Sequence, residues 1–304
     1  MKIGLLDLDS HNFPNLALMK ISSFHKNKGD EVEMFFGLNQ YDKVYISKVF
    51  TFSRDYEEVI MANEIIKGGT GYDLRSKLPE EIEKQYPDYS LYGIEDTAYG
   101  YLTRGCPRCC KFCIVAEKEG AKSVKVADLN QFWKGQKYVE ILDPNILACD
   151  KWEELLKQCI ESKATINFNQ GLDIRLMTEK KQEMLNQVKH KYFHFAWDNA
   201  EDITTFEKLK QFREGFKDRN ENLMVYVLTN FNSTLEQDLD RVYKLREIGY
   251  DPYIMIFDKP NAPKKIRDLQ RWCNSKWIFK SCKNFEDYKK GEKNDKKTKI
   301  IRLS

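Results

Sequence analysis

The sequence predicts an α/β protein: a partial (β/α)6 barrel, TIM-like in its winding, preceded by a small doubly wound, Rossmann-like domain. Three observations predict it. From Ala98 onward, short β-branched or aromatic runs alternate with amphipathic stretches of helical period, the pattern of a parallel sheet with helical crossovers. Residues 1–95 repeat that alternation on a smaller scale. Four successive strands of the later segment end in polar residues that suit neither a core nor a helix interior, as at the carboxyl-end face of a β/α barrel.

In the first domain, 1–95, strands are expected at Lys2–Leu8, Glu31–Phe35, Lys43–Ile46 and Glu64–Lys67. A helix from Pro14 to Lys26 separates the first two, with proline at its start, where a missing N–H costs nothing. The tight Gly68-Gly69-Thr70-Gly71 turn either admits close backbone approach to a ligand or simply requires positive φ. A charged, proline-containing linker, Leu78 to Tyr92, leads into the barrel, 96–280. Its strands are expected at Tyr99–Arg104, Val139–Leu142, Thr165–Phe168, Tyr192–Trp197, Met224–Leu228 and Tyr253–Phe257. Helices fall near 108–118, 151–162, 178–189, 202–218, 235–248 and 262–273. The polar strand ends are Asp143 and Asn145, Asn169 and Asp173, Asp198 and Asn199, and Thr229 and Asn230. Helix capping and turn formation are the competing reading for these residues.

Composition narrows the classes. A chain of 304 residues can bury one large core or two modest ones. No run approaches the roughly 18 apolar residues of a membrane span, and MKIGLLDLD reads as a strand rather than a signal peptide, so a soluble cytoplasmic protein without a membrane partner is expected. Net charge is only +3, which gives no global field for nucleic acid. The exception is the tail, 281–304: from Lys289 it carries seven cations against two anions, suiting either phosphate contact or a solvated, frayed end. Of eight cysteines, four lie within 106–113, and Cys149, Cys159, Cys273 and Cys282 are scattered singly. That distribution argues against a disulfide framework and makes the single ones buried small hydrophobes.

The cluster reads Thr103-Arg104-Gly105-Cys106-Pro107-Arg108-Cys109-Cys110-Lys111-Phe112-Cys113, between a strand and a helix. Thiolates are soft ligands suited to Fe–S clusters and zinc. Taken as Cys106, Cys110 and Cys113, the spacing is C-x3-C-x2-C, and three ligands on a [4Fe–4S] cluster leave one iron open to a small-molecule chelator. Cys109 creates a second register, Cys106-x2-Cys109-x3-Cys113. Structural zinc asks for four closed ligands, usually two separated pairs. No C-x2-C lies outside the cluster, His11 and His25 supply no pair, and His190 and His194, although spaced H-x3-H, fall across an expected helix-to-strand junction.

With an aromatic directly before its last cysteine, this loop resembles that of the radical S-adenosylmethionine superfamily. The resemblance implies that Cys106, Cys110 and Cys113 hold a [4Fe–4S] cluster whose open iron is chelated by the methionine end of S-adenosylmethionine. One-electron reduction, from an external donor such as flavodoxin or ferredoxin, then cleaves the sulfonium to a 5′-deoxyadenosyl radical. Cys109 is left as a bystander packing beneath the loop. Phe112 takes the place of the aromatic near adenine. Asp143 or Asn145 occupies the place of the amino-group binder, although the family's Gly-Gly-Glu is absent. Asn169, Asp173 and Arg175 are candidates for the carboxylate or the substrate, against an Asp–Arg ion pair that merely holds the loop. Asp198 is the candidate ribose binder, and Thr229 and Asn230 stand where the family contacts the cofactor. Ile254 and Ile256 either flank adenine or belong to the core.

The first domain resembles, in reduced form, the cobalamin-binding domain of many such enzymes. The family's D-x-H-x-x-G, S-x-L and Gly-Gly appear as Asp9-Ser10-His11-Asn12-Phe13-Pro14, Ser47-Lys48-Val49 and Gly68-Gly69, with Pro14 and Val49 as departures and with shorter intervals. Loss of a helix and a shallower groove would follow. Three readings stand: a scaffold or substrate platform, true cobalamin binding with His11 as a cobalt ligand, and an unrelated α/β domain. Together, residues 1–280 resemble the compact Fe–S oxidoreductase-type members of the superfamily, which does not name a substrate or reaction. A cobalamin-dependent radical methyltransferase is one alternative, and a non-catalytic Fe–S or zinc protein for electron transfer or nucleic-acid binding is another. Methylthiolation of transfer RNA would need a second cluster, for which Cys149, Cys159 and Cys273 are too dispersed.

Overall fold

The structure is a computed structural model and describes residues 1–11, 13–217 and 223–288. The basic tail from Lys289 lies outside the described residues. The chain divides into two compact units: Met1–Leu172 with Thr178–Lys191, and Asp173–Met177 with Tyr192–Ser304. The division falls inside the segment read as a barrel, while residues 1–95 share a unit with that segment's first three strands. Among the described residues no helix is long and apolar enough to cross a membrane.

The first unit opens with a four-stranded parallel sheet, β1 (Lys2–Asp7), β2 (Glu31–Met34), β3 (Tyr41–Ser47) and β4 (Ala62–Gly68), in the order β2-β1-β3-β4. The β1-to-β2 crossover is helix α1 (Leu16–Asn27), whose Leu18, Ile21 and Phe24 bury Ile3 and Leu5 of β1. The helix begins after Pro14, not at it: the Asn15 side chain accepts from Leu18 N at 3.2 Å and takes the cap, leaving proline outside. The sheet is also not doubly wound. Its second face, with Tyr41, Val44 and Ile46, is covered by Phe35, Ile60 and Tyr72 from irregular connections. The six residues 35–40 are too few for a helical crossover, and 48–61 are irregular. The expected linker packs against this layer through α2 (Glu80–Glu83) and a 3-10 turn at Tyr89–Tyr92, with Ile82 and Tyr89 buried.

Next come β5 (Thr97–Gly100), β6 (Thr103–Arg104), α3 (Val115–Glu119), β7 (Val124–Lys125), β8 (Tyr138–Ile141), α4 (Trp152–Ser162), β9 (Thr165–Phe168) and α5 (Glu179–Leu185). Strands β5, β8 and β9 form a parallel sheet, and β6 pairs antiparallel with β7. The single strand expected over Tyr99–Arg104 is thus broken, because Leu102 N bonds to the Asp143 side chain instead of a ladder partner. The helix expected over 108–118 shrinks to Val115–Glu119. Pro107 and the left-handed Cys109 (φ +47°) keep the preceding residues in turns.

The second unit holds β10 (Phe193–Ala196), α6 (Ile203–Gly215), β11 (Leu223–Thr229), α7 (Leu235–Glu247), β12 (Asp251–Ile256), α8 (Lys264–Asn274) and α9 (Lys276–Ser281). Its three strands are parallel in the order β10-β11-β12. The strict two-residue alternation puts one face of each three-stranded sheet in the core: Ala98, Val139, Ile141, Ile166 and Phe168 in the first, Phe193, Phe195, Val225, Val227 and Ile254 in the second.

Candidate functional site

The cysteine segment is a closed loop, and its closure can be built up from backbone requirements. At its base Thr103 pairs with Lys125 and Arg104 with Val124. One step inward, Arg104 meets Glu119 at 2.9 Å, and the other Glu119 oxygen accepts from Gly105 N at 3.2 Å. Cys106 N then donates to Gly120 O at 3.1 Å. Gly105 has φ +85°, and a Cβ there would lie 2.2 Å from the Lys122 carbonyl oxygen, so only glycine lets the two arms approach this closely. Arg104 also stacks on Tyr101 with its guanidinium 3.7 Å from the ring centroid.

The end of β8 staples this loop to the sheet. Asp143, 4% exposed, accepts from Leu102 N at 2.7 Å, Thr103 N at 2.8 Å and Thr103 Oγ1 at 2.7 Å. Burial pushes its carboxyl up to about 7, against those three donors, which favour the ionised form. Its oxygens therefore serve the turn that launches the cysteine loop. Asn145, 2% exposed, points its side-chain amide at Cys106, Nδ2 lying 3.5 Å from Sγ, while its backbone carbonyl accepts from Ser123 Oγ at 2.8 Å. Of the expected site residues, Cys106, Asp143 and Asn145 are thus brought together around one loop base.

Further along, Cys106 and Cys110 are half-buried and Cys113 is exposed, with Cys113 N donating to Cys110 O at 3.0 Å. Phe112 is half-buried on the same turn. Cys109 does not pack beneath the loop: its left-handed backbone turns it outward, and it is exposed. Among the described residues no three His, Cys, Asp or Glu side chains converge as a metal-holding group. The donor set still suits an Fe–S cluster: three soft thiols on a solvent-accessible loop, with a side-chain N–H directed at one sulfur. Of the scattered cysteines, Cys149, Cys159 and Cys273 are buried as expected, whereas Cys282 is only half-buried, its thiol donating to Asn284 O at 3.2 Å.

In the first unit Asn169 N continues the β8–β9 ladder to Ile141 O at 3.0 Å. The other expected residues lie in the second unit. Asp173 caps a 3-10 turn and pairs with Arg175 Nε at 2.8 Å, which is the ion pair holding the loop. Asp198 follows β10, and burial raises its carboxyl despite the opposing charges of Arg175 and Arg241. Thr229 is fully buried with Oγ1 3.4 Å from Met255 O, and Asn230, at φ +61°, donates to Phe257 O at 2.8 Å, so both tie β11 to β12. Ile254 is core and Ile256 half-buried.

Several residues escaped the sequence reading. The other faces of the two sheets carry polar and aromatic rows: Tyr99, Glu140 and Asn167 in register across β5-β8-β9, and Tyr226 and Tyr253 in register across β11-β12, with His194 buried beside them. Asn167 Nδ2 donates to Glu140 at 2.6 Å, and burial raises the Glu140 carboxyl. His194 stacks on Tyr226 at 5.4 Å. The available signal was a polar residue at every second position of otherwise apolar strands. Glu119, which closes the cysteine loop, had no such signal.

In the amino-terminal sheet, strand order reverses between β1 and β3, the place where open α/β sheets bind ligands. That crevice is filled by the chain itself. Asp7 accepts from Ser10 Oγ at 2.6 Å and Tyr92 OH at 2.7 Å, and Asn15 bridges to Ser47 Oγ at 2.8 Å. Asp9 accepts from Val49 N and Phe50 N, His11 is exposed, and a Cβ on Gly69 would sit 2.4 Å from Lys48 O. The glycine-rich turn is therefore spent on the Lys48 backbone, and these residues do not fit a cobalamin cradle. No protein-family model matches the chain, and no curated protein matches it with significance.

Proposed function

We propose that this chain is a radical S-adenosylmethionine enzyme, with Cys106, Cys110 and Cys113 as the three ligands of a [4Fe–4S] cluster. The observation that carries the reading is a C-x3-C-x2-C loop that leaves the short antiparallel pair β6–β7 just after parallel strand β5 and is pinned by the end of β8 through Asp143, with Asn145 directed at the first ligand sulfur. When bound, the cluster would supply the electron that cleaves S-adenosylmethionine to a 5′-deoxyadenosyl radical. The chain's own residues then have definable tasks. Asp143 and Glu119 hold the two arms of the loop, Asn145 orients Cys106, and Phe112 stands directly before the last ligand, in the place of the family's aromatic near adenine. The amino-terminal domain acts in this reading as a scaffold, since its crevice and its glycine turn are occupied by its own side chains and backbone.

Electron paramagnetic resonance of the anaerobically reconstituted, reduced protein tests the proposal, with chromatography for 5′-deoxyadenosine. A [4Fe–4S]+ signal that shifts on adding S-adenosylmethionine, with deoxyadenosine formed, is the expected result. Cys106→Ala, Cys110→Ala and Cys113→Ala should each abolish the signal, and Cys109→Ala should keep it. A signal indifferent to S-adenosylmethionine, or zinc in place of iron, would overturn the proposal in favour of a closed binding or electron-transfer site.

A further inference from the structure

The returning arm of the cysteine loop is braced from outside its own strand pair. Lys118, on α3 between the last cysteine and the closing Glu119, donates its ammonium to Thr70 Oγ1 at 2.6 Å. Thr70 stands at the tip of the Gly68–Gly71 turn of the amino-terminal sheet. We propose that this glycine-rich turn is a positioning device for the cysteine loop: it presents Thr70 to Lys118 and so fixes the loop's returning arm. This inference deepens the reading of the preceding subsection and rests on it for the loop's purpose.

The geometry makes each part of the turn necessary. Gly71 N donates to Lys48 O at 2.8 Å, and Lys48 N donates to Gly68 O at 3.1 Å, so the turn is clamped across the end of β3. Cβ atoms at Gly69 and Gly71 would lie 2.4 Å and 2.7 Å from the Lys48–Phe50 backbone, and Gly69 has φ +97°. Lys48 is itself anchored, its ammonium paired with Asp55 at 2.5 Å and 4.4 Å above the Tyr72 ring. Thr70 is thereby held at a fixed place by a rigid strand end. Lys118 is half-buried, so its ammonium gains more from one well-placed oxygen than a solvated lysine would. At the other arm, Arg104 reaches Glu83 of α2 at 3.8 Å, and Glu83 in turn holds Lys20 of α1 at 2.7 Å. Both arms of the loop therefore meet the amino-terminal layer.

Hydrogen exchange of the metal-free protein, read by mass spectrometry over residues 104–120, tests the brace without reference to any cofactor. Thr70→Val and Lys118→Met should each speed exchange in that segment by about tenfold, the factor that one charge-assisted hydrogen bond supports. The double variant should add little to either, and Thr70→Ser should restore protection. Gly69→Ala should act like Thr70→Val by displacing the turn. Unchanged protection in both Thr70→Val and Lys118→Met would overturn the inference. After reconstitution, Thr70→Val should broaden the cluster signal while Thr70→Ser leaves it sharp. Normal exchange results with no cluster response to S-adenosylmethionine would sink the functional reading and leave the brace standing.

Discussion

Asn145 shows how much one side chain carries. Asp143 and Asn145 stand in sequence as alternatives for one place, yet the structure separates their tasks. Asp143 spends its carboxylate on Leu102 and Thr103, and Asn145 spends its amide on the Cys106 sulfur. An N–H directed at a cluster thiolate stabilises the more negative, reduced state and raises the reduction potential. Asn145→Leu should therefore move the potential of the proposed cluster downward, as measured by a redox titration followed by electron paramagnetic resonance. An unchanged potential would mean that the contact does not persist once the loop is loaded. The residue type at 145 was legible; its partner was not, because Cys106 lies 39 positions away.

Helix α7 shows the same limit for an element. Its capping box at Thr234 and Gln237 and its apolar period made the helix readable to within a residue. Asp238 and Arg241, one turn apart, look from sequence like a solvated i,i+3 pair. They are instead among the most buried groups in the second unit, 0% and 1% exposed. Arg241 donates to Asp238 at 2.6 Å, to Trp197 O at 2.6 Å and to Leu228 O at 2.7 Å, tying the carboxyl ends of β10 and β11. Removing one partner of a buried pair leaves an uncompensated charge, so Arg241→Met should cost about 3–5 kcal/mol in urea unfolding. The double variant Arg241→Met, Asp238→Leu should recover only part of this, because the two carbonyls still lose their donor. Full recovery would show that the carbonyl contacts contribute nothing.

Across the whole molecule, both three-stranded sheets bury one row of alternating apolar residues, and in the first sheet Tyr99, Glu140 and Asn167 form the alternate row. Glu140 sits in such a row with its pKa raised above the ordinary 4.5 by burial. The folded state therefore binds its proton more tightly than the unfolded chain does. The stability that Glu140 contributes is present in acid and is lost as pH rises through its folded pKa. Glu140→Gln should remove that loss, so its advantage in Tm over the parent should grow from about pH 4.5 upward. A constant difference across pH would contradict the burial argument.

By itself the sequence determined the β/α alternation, nine of the ten expected strands to within about two residues, three of the four solitary cysteines packing as hydrophobes, and the cysteine motif. All of these depend on local periodicity or spacing, which neighbours along the chain enforce. Only the tertiary structure decided that Leu102 breaks a strand for Asp143, and that the glycine turn packs on Lys48 and reaches Lys118. It also decided that the amino-terminal sheet lacks its second helical layer and that Arg241 is buried. Each is a pairing between residues far apart in sequence, chosen by which donors burial would otherwise strand without acceptors, and nothing in local pattern encodes that choice.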